Sequence, residues 1–450
     1  MQASSDTIAA IATPPGQGGV GIVRVSGPDV PAIAEQLCGR VPVERRAELQ
    51  GFRDADGELI DSGLVLYFAA PASFTGEHVL ELHGHGGTVV LDLLLARVLS
   101  LGARPARPGE FSERAFLNGK LDLVQAEAIA DLIASGTATA ARAATRSLQG
   151  VFSTQVHALV EQLTQLRLFI EAAIDFPDEE VDFLSDAGVT QRLAHLEDAS
   201  GTLLASARQG CLLRDGLTLV IAGRPNAGKS SLMNTLVGRD MAIVTDIPGT
   251  TRDVLREQVQ LDGLPLHLID TAGLHDSADP VEQAGMARAR AALAQADLVL
   301  LVIDDTQGFT TEDAAILAEL PAALPCVRIY NKIDLTRRPS GALTDATGPA
   351  VAVSIKTGDG LDVLRAHLKA TVGYADHREG AFTARRRHLD ALERARRHIR
   401  RGRRQLEEAH SGELLAEELR LAQNVLGEIT GEFGSDDLLG RIFSDFCIGK

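Results

Sequence analysis

Tryptophan is absent from this chain of 450 residues, tyrosine occurs three times, and aromatics make up only 4%. Its cores must therefore be built mainly from aliphatic side chains. Four cysteines (Cys38, Cys211, Cys326 and Cys447) lie far apart with no C-x-x-C pair. That spacing argues against a zinc ribbon and a disulfide framework, and fits a reducing, cytoplasmic setting. No run of 18 apolar residues exists, so no segment is expected to span a membrane. The stretch Met1 to Gly16 has no basic n-region, so no signal peptide is expected. The sequence Cys447-Ile448-Gly449-Lys450 has glycine at an aliphatic position and lysine last, unlike a prenylation box.

Lysine is scarce too. Only Lys120, Lys229, Lys332, Lys356, Lys369 and Lys450 occur, which leaves 38 arginines among 44 basic residues. A chain that uses arginine wherever either cation serves makes its few lysines worth locating. The net charge of −17 makes it, by composition alone, a poor nucleic-acid binder. One segment breaks the trend: Arg385 to Arg404 holds ten arginines and two acids, a local net of +8. That stretch is a candidate RNA contact, or else a helix paired with neighbouring acids.

With about 150 residues per domain, the length predicts roughly three folding units. Residues 1–118 mix β-rich runs (Gly19 to Val25, Gly63 to Phe68, Val79 to His83) with helical stretches (Asp29 to Cys38, Thr88 to Ser100). Residues 119–215 read as long helices broken near Asp175-Phe176-Pro177. Residues 216–373 alternate strand and helix, as in a mostly parallel sheet covered on both faces. Strands are expected at Leu217 to Ala222, Leu255 to Leu261, Pro265 to Ile269, Leu298 to Ile303, Cys326 to Tyr330 and Ala350 to Ser354, with helices between them. Residues 374–450 return to helix, so the α/β unit reads as an insertion into a helical domain. The fold class is thus multidomain, α+β together with α/β.

Gly223-Arg224-Pro225-Asn226-Ala227-Gly228-Lys229-Ser230 fits G-x-x-x-x-G-K-[ST], with Ser231 following, between a hydrophobic strand and a helix. In that context backbone N–H groups and a helix N-terminus bind phosphate. Lys229 then meets the β- and γ-phosphates, and Ser230 offers an oxygen to Mg²⁺. Asp270-Thr271-Ala272-Gly273 ends a strand in an acid that can hold Mg²⁺ through water, followed by a glycine N–H for the γ-phosphate. Asn331-Lys332-Ile333-Asp334 supplies, in Asp334, an acceptor for two guanine donors that adenine lacks, and Lys332 can cover the base. Ser354-Ile355-Lys356 fits the loop that meets the guanine oxygen. Thr251, in Gly249-Thr250-Thr251-Arg252-Asp253, is the candidate second Mg²⁺ hydroxyl. Together these motifs point to a GTPase; a P-loop ATPase conflicts with Asn331 to Asp334.

The sequence resembles the family of tRNA-modifying GTPases known as MnmE or TrmE. The resemblance rests on the P-loop, on Thr245-Asp246-Ile247-Pro248-Gly249-Thr250-Thr251-Arg252-Asp253, on the inserted G domain and on Cys447 to Lys450. It rests also on Ala12 to Gly16, Leu80 to Gly87 and Gly109 to Phe116. It implies a folate-binding-like N-terminal domain that dimerises, a helical domain and an inserted Ras-like G domain. It implies that a carboxymethylaminomethyl-type group is installed at C5 of the wobble uridine of certain tRNAs. A flavin-dependent partner of the MnmG or GidA type, forming a heterotetramer, and a tetrahydrofolate derivative (5-formyl or methylene) are implied with it. Potassium would be held by Asn226, Thr245, Ile247 and Thr250, and would take the place of an arginine finger. Leu274 stands where a Ras-like water-positioning glutamine would be, and the family pattern places the catalytic acid at Glu282. Arg24, Glu81, Lys120 and Lys450 match folate-site positions, and Cys447 matches a cysteine considered as a nucleophile. His83-Gly84-His85 is read as structural or substrate-contacting rather than as a zinc site. The rival reading is a non-enzymatic GTP switch on ribosomal RNA.

Overall fold

The computed structural model describes residues 6–175, 187–238, 256–270, 293, 296–321, 324–345, 348–374, 380–432, 436–444 and 446–449. The chain divides into two compact units: residues 1–130, 147–199 and 391–450 form the first, and 131–146 with 200–390 the second.

In the first unit six strands make one sheet: β1 (Ile8–Ile11), β2 (Gly18–Ser26), β3 (Glu48–Arg53), β4 (Leu59–Phe68), β5 (Val79–Gly86) and β6 (Arg104–Pro105). Their order is β3-β4-β5-β2-β1-β6. Sequence reading found β2, β4 and β5 but not β1, β3 and β6, which are short or carry little β-branched character. Alternation along β2 and β5 sends Val23, Val25, Leu80 and Leu82 into the core, where helices α1 (Val30–Cys38) and α2 (Thr88–Ser100) cover them. The intervening residues Arg24 and Glu81 share the opposite face, and antiparallel pairing sets them directly across from each other. The remaining helices of this unit include α3 (Glu110–Leu117), most of α4 (Leu123–Ala134) and α6 (Val151–Asp175), with α5 (Ala138–Leu148) and α7 (Ala187–Asp215) preceding the second sheet.

The second unit holds a seven-stranded sheet of β7 (Leu217–Gly223), β8 (Arg256–Leu261), β9 (Leu264–Asp270), β10 (Leu298–Asp304), β11 (Cys326–Asn331), β12 (Gly341–Asp345) and β13 (Gly348–Ala352). The order is β12-β13-β11-β10-β7-β9-β8, parallel through the five middle strands and antiparallel at both edges. Every residue of β10 is buried, because helices or loops must cover both faces of a parallel sheet. Leu219, Ile221, Leu300 and Val302 fill one face, while Val220, Ala222, Leu301 and Ile303 fill the other. Two expectations are corrected here. No helix separates β8 from β9: Asp262 and Gly263, at φ 49° and 88°, form the tight turn of a hairpin. The last expected strand also lies two residues earlier and pairs with β12, an edge strand with no apolar run to reveal it. Helices α8 (Lys229–Gly238), α9 (Thr311–Glu319), α10 (Ile333–Thr336) and α11 (Leu361–Thr371) lie in this unit. Helices α12 (Arg386–Ala409), α13 (Gly412–Thr430) and α14 (Asp436–Ser444) complete the chain.

Candidate nucleotide site

Chain order and sheet order diverge around β7. The chain runs from β7 outward to β9 and then returns to β10 on the other side. Such a switch point, at the carboxyl ends of the strands, is where open α/β sheets hold ligands. The carboxyl ends of β7 and β11 and the loop after β13 border a cavity of about 820 Å³. Asn226, Gly228, Lys229, Ser230, Ser231, Asn331, Lys332, Asp334, Ile355 and Lys356 line it, so three separate motifs from the sequence meet there. Asn234, Thr235 and Leu335 also line it and were not anticipated. Ala227 and Ser354 are buried behind the wall.

The P-loop turns through left-handed backbone at Asn226 (φ 62°), a conformation asparagine tolerates. It then passes Gly228 at φ 105°, where a Cβ would lie 2.3 Å from Asn331 Nδ2. Only glycine permits this approach. Asn331 is 4% exposed and uses both ends of its amide: Nδ2 donates to the Ala227 carbonyl at 2.9 Å, and Oδ1 accepts from Ile355 N–H at 3.2 Å. It thereby ties the phosphate loop to the guanine-side loop. Ser354 Oγ donates to Asp334 Oδ1 at 2.8 Å, orienting that carboxylate. Lys229 reaches back along its loop to the Gly223 and Arg224 carbonyls at 2.8 and 2.9 Å.

Two supports had escaped the sequence reading. Lys332 donates to the Asn226 carbonyl at 2.8 Å and to Asp304 Oδ2 at 2.6 Å. Burial pushes the Asp304 carboxyl upward, but the Lys332 ammonium and two bonds from Thr306 outweigh it and hold it below the usual carboxylate range. Arg224 donates to Asp313 Oδ1 at 3.0 Å and to Gln307 at 2.9 Å, fixing the start of the loop against α9. Asp313 is fully buried and closes a capping box with Thr310. The signals were an acid ending a buried strand and a Thr-x-x-Asp helix start.

Asp270 ends β9, and its side chain lies outside the described residues. So do Thr245, Asp246, Ile247, Pro248, Gly249, Thr250, Thr251, Thr271, Ala272, Gly273, Glu282 and Lys450.

In the first unit, Arg24 donates to Glu81 at 2.9 Å and to the Gly449 carbonyl at 3.2 Å, with its guanidinium over the Phe111 ring. Glu81 also meets His83 at 3.2 Å, and His85 pairs with Asp61 at 2.8 Å. Gly449 is at φ 93°, and a Cβ there would lie 2.5 Å from the Ile11 carbonyl, so this part of the chain packs closely on β1. Lys120 instead donates to the Pro71 carbonyl at 3.1 Å. Cys447 is exposed. Among the described residues, no three His, Cys, Asp or Glu side chains gather to hold a metal, and no helix is long and apolar enough to cross a membrane.

Two family profiles match the chain. One, described as the MnmE helical domain, covers residues 123–447; the other, described as the N-terminus of GTP-binding protein TrmE, covers 7–120. The chain belongs to the MnmE family of tRNA modification GTPases. The tRNA modification GTPase MnmE of Methylococcus capsulatus is 59% identical over 445 residues, 99% of each chain. Its counterpart in Marinobacter nauticus is 59% identical across the whole of both. Such likeness over full length extends the family assignment to every part of the chain described above, the P-loop unit included. The chain is an enzyme, a GTPase acting in tRNA modification.

Proposed function

We propose that this MnmE-family GTPase hydrolyses GTP in a K⁺-dependent manner at the cavity of the second unit. With a flavin-dependent partner of the MnmG type, it uses the hydrolysis to install a carboxymethylaminomethyl-type group on the wobble uridine of certain tRNAs. The observation that carries the reading is the meeting of the P-loop, Asn331 to Asp334 and Ser354 to Lys356 around one space of about 820 Å³. That space is ample for a nucleoside triphosphate.

GTPase homology implies GTP and Mg²⁺. The Ser230 hydroxyl lines the cavity next to Lys229 and suits a hard cation, with Thr251 as the second hydroxyl. Asn226 lines the same space and is the K⁺ ligand, with Thr245, Ile247 and Thr250. A monovalent cation there supplies charge against the β- and γ-phosphates. Lys229 neutralises phosphate charge, while Asp334, held by Ser354, selects guanine. Glu282 orients the attacking water.

Tetrahydrofolate, as the 5-formyl or methylene form, binds near Arg24 and Glu81. Glu81 offers carboxylate acceptors suited to an amino-pyrimidine edge, and Lys120 and Lys450 suit its acidic tail. The protein works in the cytoplasm as a homodimer within a heterotetramer. Its organisation is a folate-like domain (1–118), a helical domain (119–215 and 374–450) and a G domain (216–373).

The test is reconstitution. The chain, a flavin-dependent partner, unmodified tRNA, GTP, Mg²⁺ and a one-carbon folate should yield carboxymethylaminomethyl-type uridine at the wobble position in K⁺ but not in Na⁺. Equal yields in the two salts would remove the K⁺ assignment, and no modified nucleoside in either would overturn the reading.

A further inference from the structure

Helix α12 sorts its side chains into three classes. Leu392, Ala395, Ile399, Gly402 and Leu406 are buried, at the spacing of one helical face. Three half-buried side chains on its flanks pair with carboxylates of neighbouring helices: Arg394 with Glu428, His398 with Glu418 at 2.6 Å, and Arg403 with Glu197 at 2.8 Å. The third class is the outer face. Between residues 394 and 406 every exposed residue is an arginine: Arg397, Arg400, Arg401 and Arg404. Arg400 lies 3.4 Å from Glu197. Among the described residues, Arg397, Arg401 and Arg404 have no carboxylate within ion-pair distance.

Positions i, i+4 and i+7 fall within an arc of about 60° and span about 10 Å of helix. Three guanidinium groups in line thus face solvent in a chain whose net charge is −17. Glu393 and Glu408, both exposed, stand four residues before Arg397 and four after Arg404, outside ion-pair distance, and no acid lies between Arg397 and Arg404; keeping like charges together there is unfavourable unless an anion answers them. No apolar or aromatic side chain is exposed among them, so this face lacks the anchors of a protein interface. Cations alone suffice for a phosphate backbone, which arginine grips with two parallel hydrogen bonds.

We propose that Arg397, Arg401 and Arg404 form a track on α12 that binds the sugar-phosphate backbone of the tRNA substrate. This rests on the family's role in tRNA modification and adds a site to it. The track positions the RNA without reading its bases, and the paired arginines on the flanks hold the helix rather than the RNA.

The test is binding of labelled tRNA by the full chain over a KCl series, comparing the wild type with the triple variant Arg397→Gln, Arg401→Gln, Arg404→Gln. Loss of three phosphate contacts should weaken binding about 10- to 100-fold near physiological salt and lower the slope of log K against log[KCl] by about two to three. Basal GTP hydrolysis and the melting temperature should not move, because the three side chains are exposed and outside the nucleotide cavity. The matching triple lysine variant should keep most of the slope. An unchanged affinity and slope in the glutamine variant would overturn the track. The same holds if that variant keeps its tRNA affinity but no longer associates with the flavin-dependent partner, which would make the face a protein contact. Wild-type protein that binds no tRNA would instead count against direct tRNA binding by this chain, and the track would fall with it. Should the triple variant misfold, Arg401→Gln alone should lower the slope by about one.

Discussion

Asn331→Ala tests how the nucleotide loops are held. The wild-type amide makes two hydrogen bonds in a site that is 4% exposed, one to the P-loop at Ala227 and one from Ile355 N–H. Each bond contributes about 0.5–1.5 kcal/mol net, so removing both costs about 1–3 kcal/mol. The Ala227 carbonyl, on a residue itself 2% exposed, gains no easy replacement donor. If the loss falls on the arrangement competent for nucleotide, affinity drops about 5- to 150-fold. A fluorescent GDP analogue, titrated at fixed Mg²⁺ and K⁺, measures this directly. Guanine preference over xanthine should persist, because Asp334 and Ser354 remain. Asn331→Asp should fare no better, because the carboxylate keeps the acceptor for Ile355 but faces the Ala227 carbonyl with oxygen. A dissociation constant within about twofold of wild type, in protein shown to be folded by circular dichroism, would refute the argument that Asn331 ties the loops together.

Two further outcomes follow from titratable groups. Glu110 is buried; burial pushes its carboxyl up, but bonds from Arg104, the Arg107 N–H and Arg114 outweigh this and bring it down to about 2. Its folded value is depressed, so its contribution is present above the unfolded value of about 4.3 and is lost as pH falls from there toward about 2. Melting curves of wild type and Glu110→Gln should therefore differ at neutral pH and converge near the acid end; a constant difference would refute the linkage. Burial pushes the thiols of Cys38 and Cys326 up to about 11, and burial with Asp215 nearby pushes Cys211 up to about 12, whereas Cys447 is exposed. Iodoacetamide at neutral pH should mark Cys447 first and the other three only after denaturation, as read by peptide mass spectrometry. Labelling of Cys211 at a rate like that of Cys447 would contradict this.

The sequence by itself determined the chemistry that lies in contiguous stretches. A phosphate loop is a strand end, a few glycine-permissive residues and a helix start, so Gly223 to Ser231 was readable without coordinates. The same holds for Asn331 to Asp334 and for Ser354 to Lys356, each following a buried strand. Their order along the chain, with the N-terminal and C-terminal motifs, was enough to indicate the family. Tertiary structure alone decided what depends on register and packing. Pairing of β2 with β5 set Arg24 across from Glu81, and packing on β1 brought Gly449, 425 residues away, to the same guanidinium. Sheet order, not the asparagine itself, made Asn331 a link between two loops. Ten arginines between Arg385 and Arg404 were visible as a charge run. Which of them pair with acids and which face water depended on where Glu197 and Glu428 were carried by other helices. Local propensity acts over a few residues, whereas these partnerships join groups far apart in the chain, and only the folded core sets their distances.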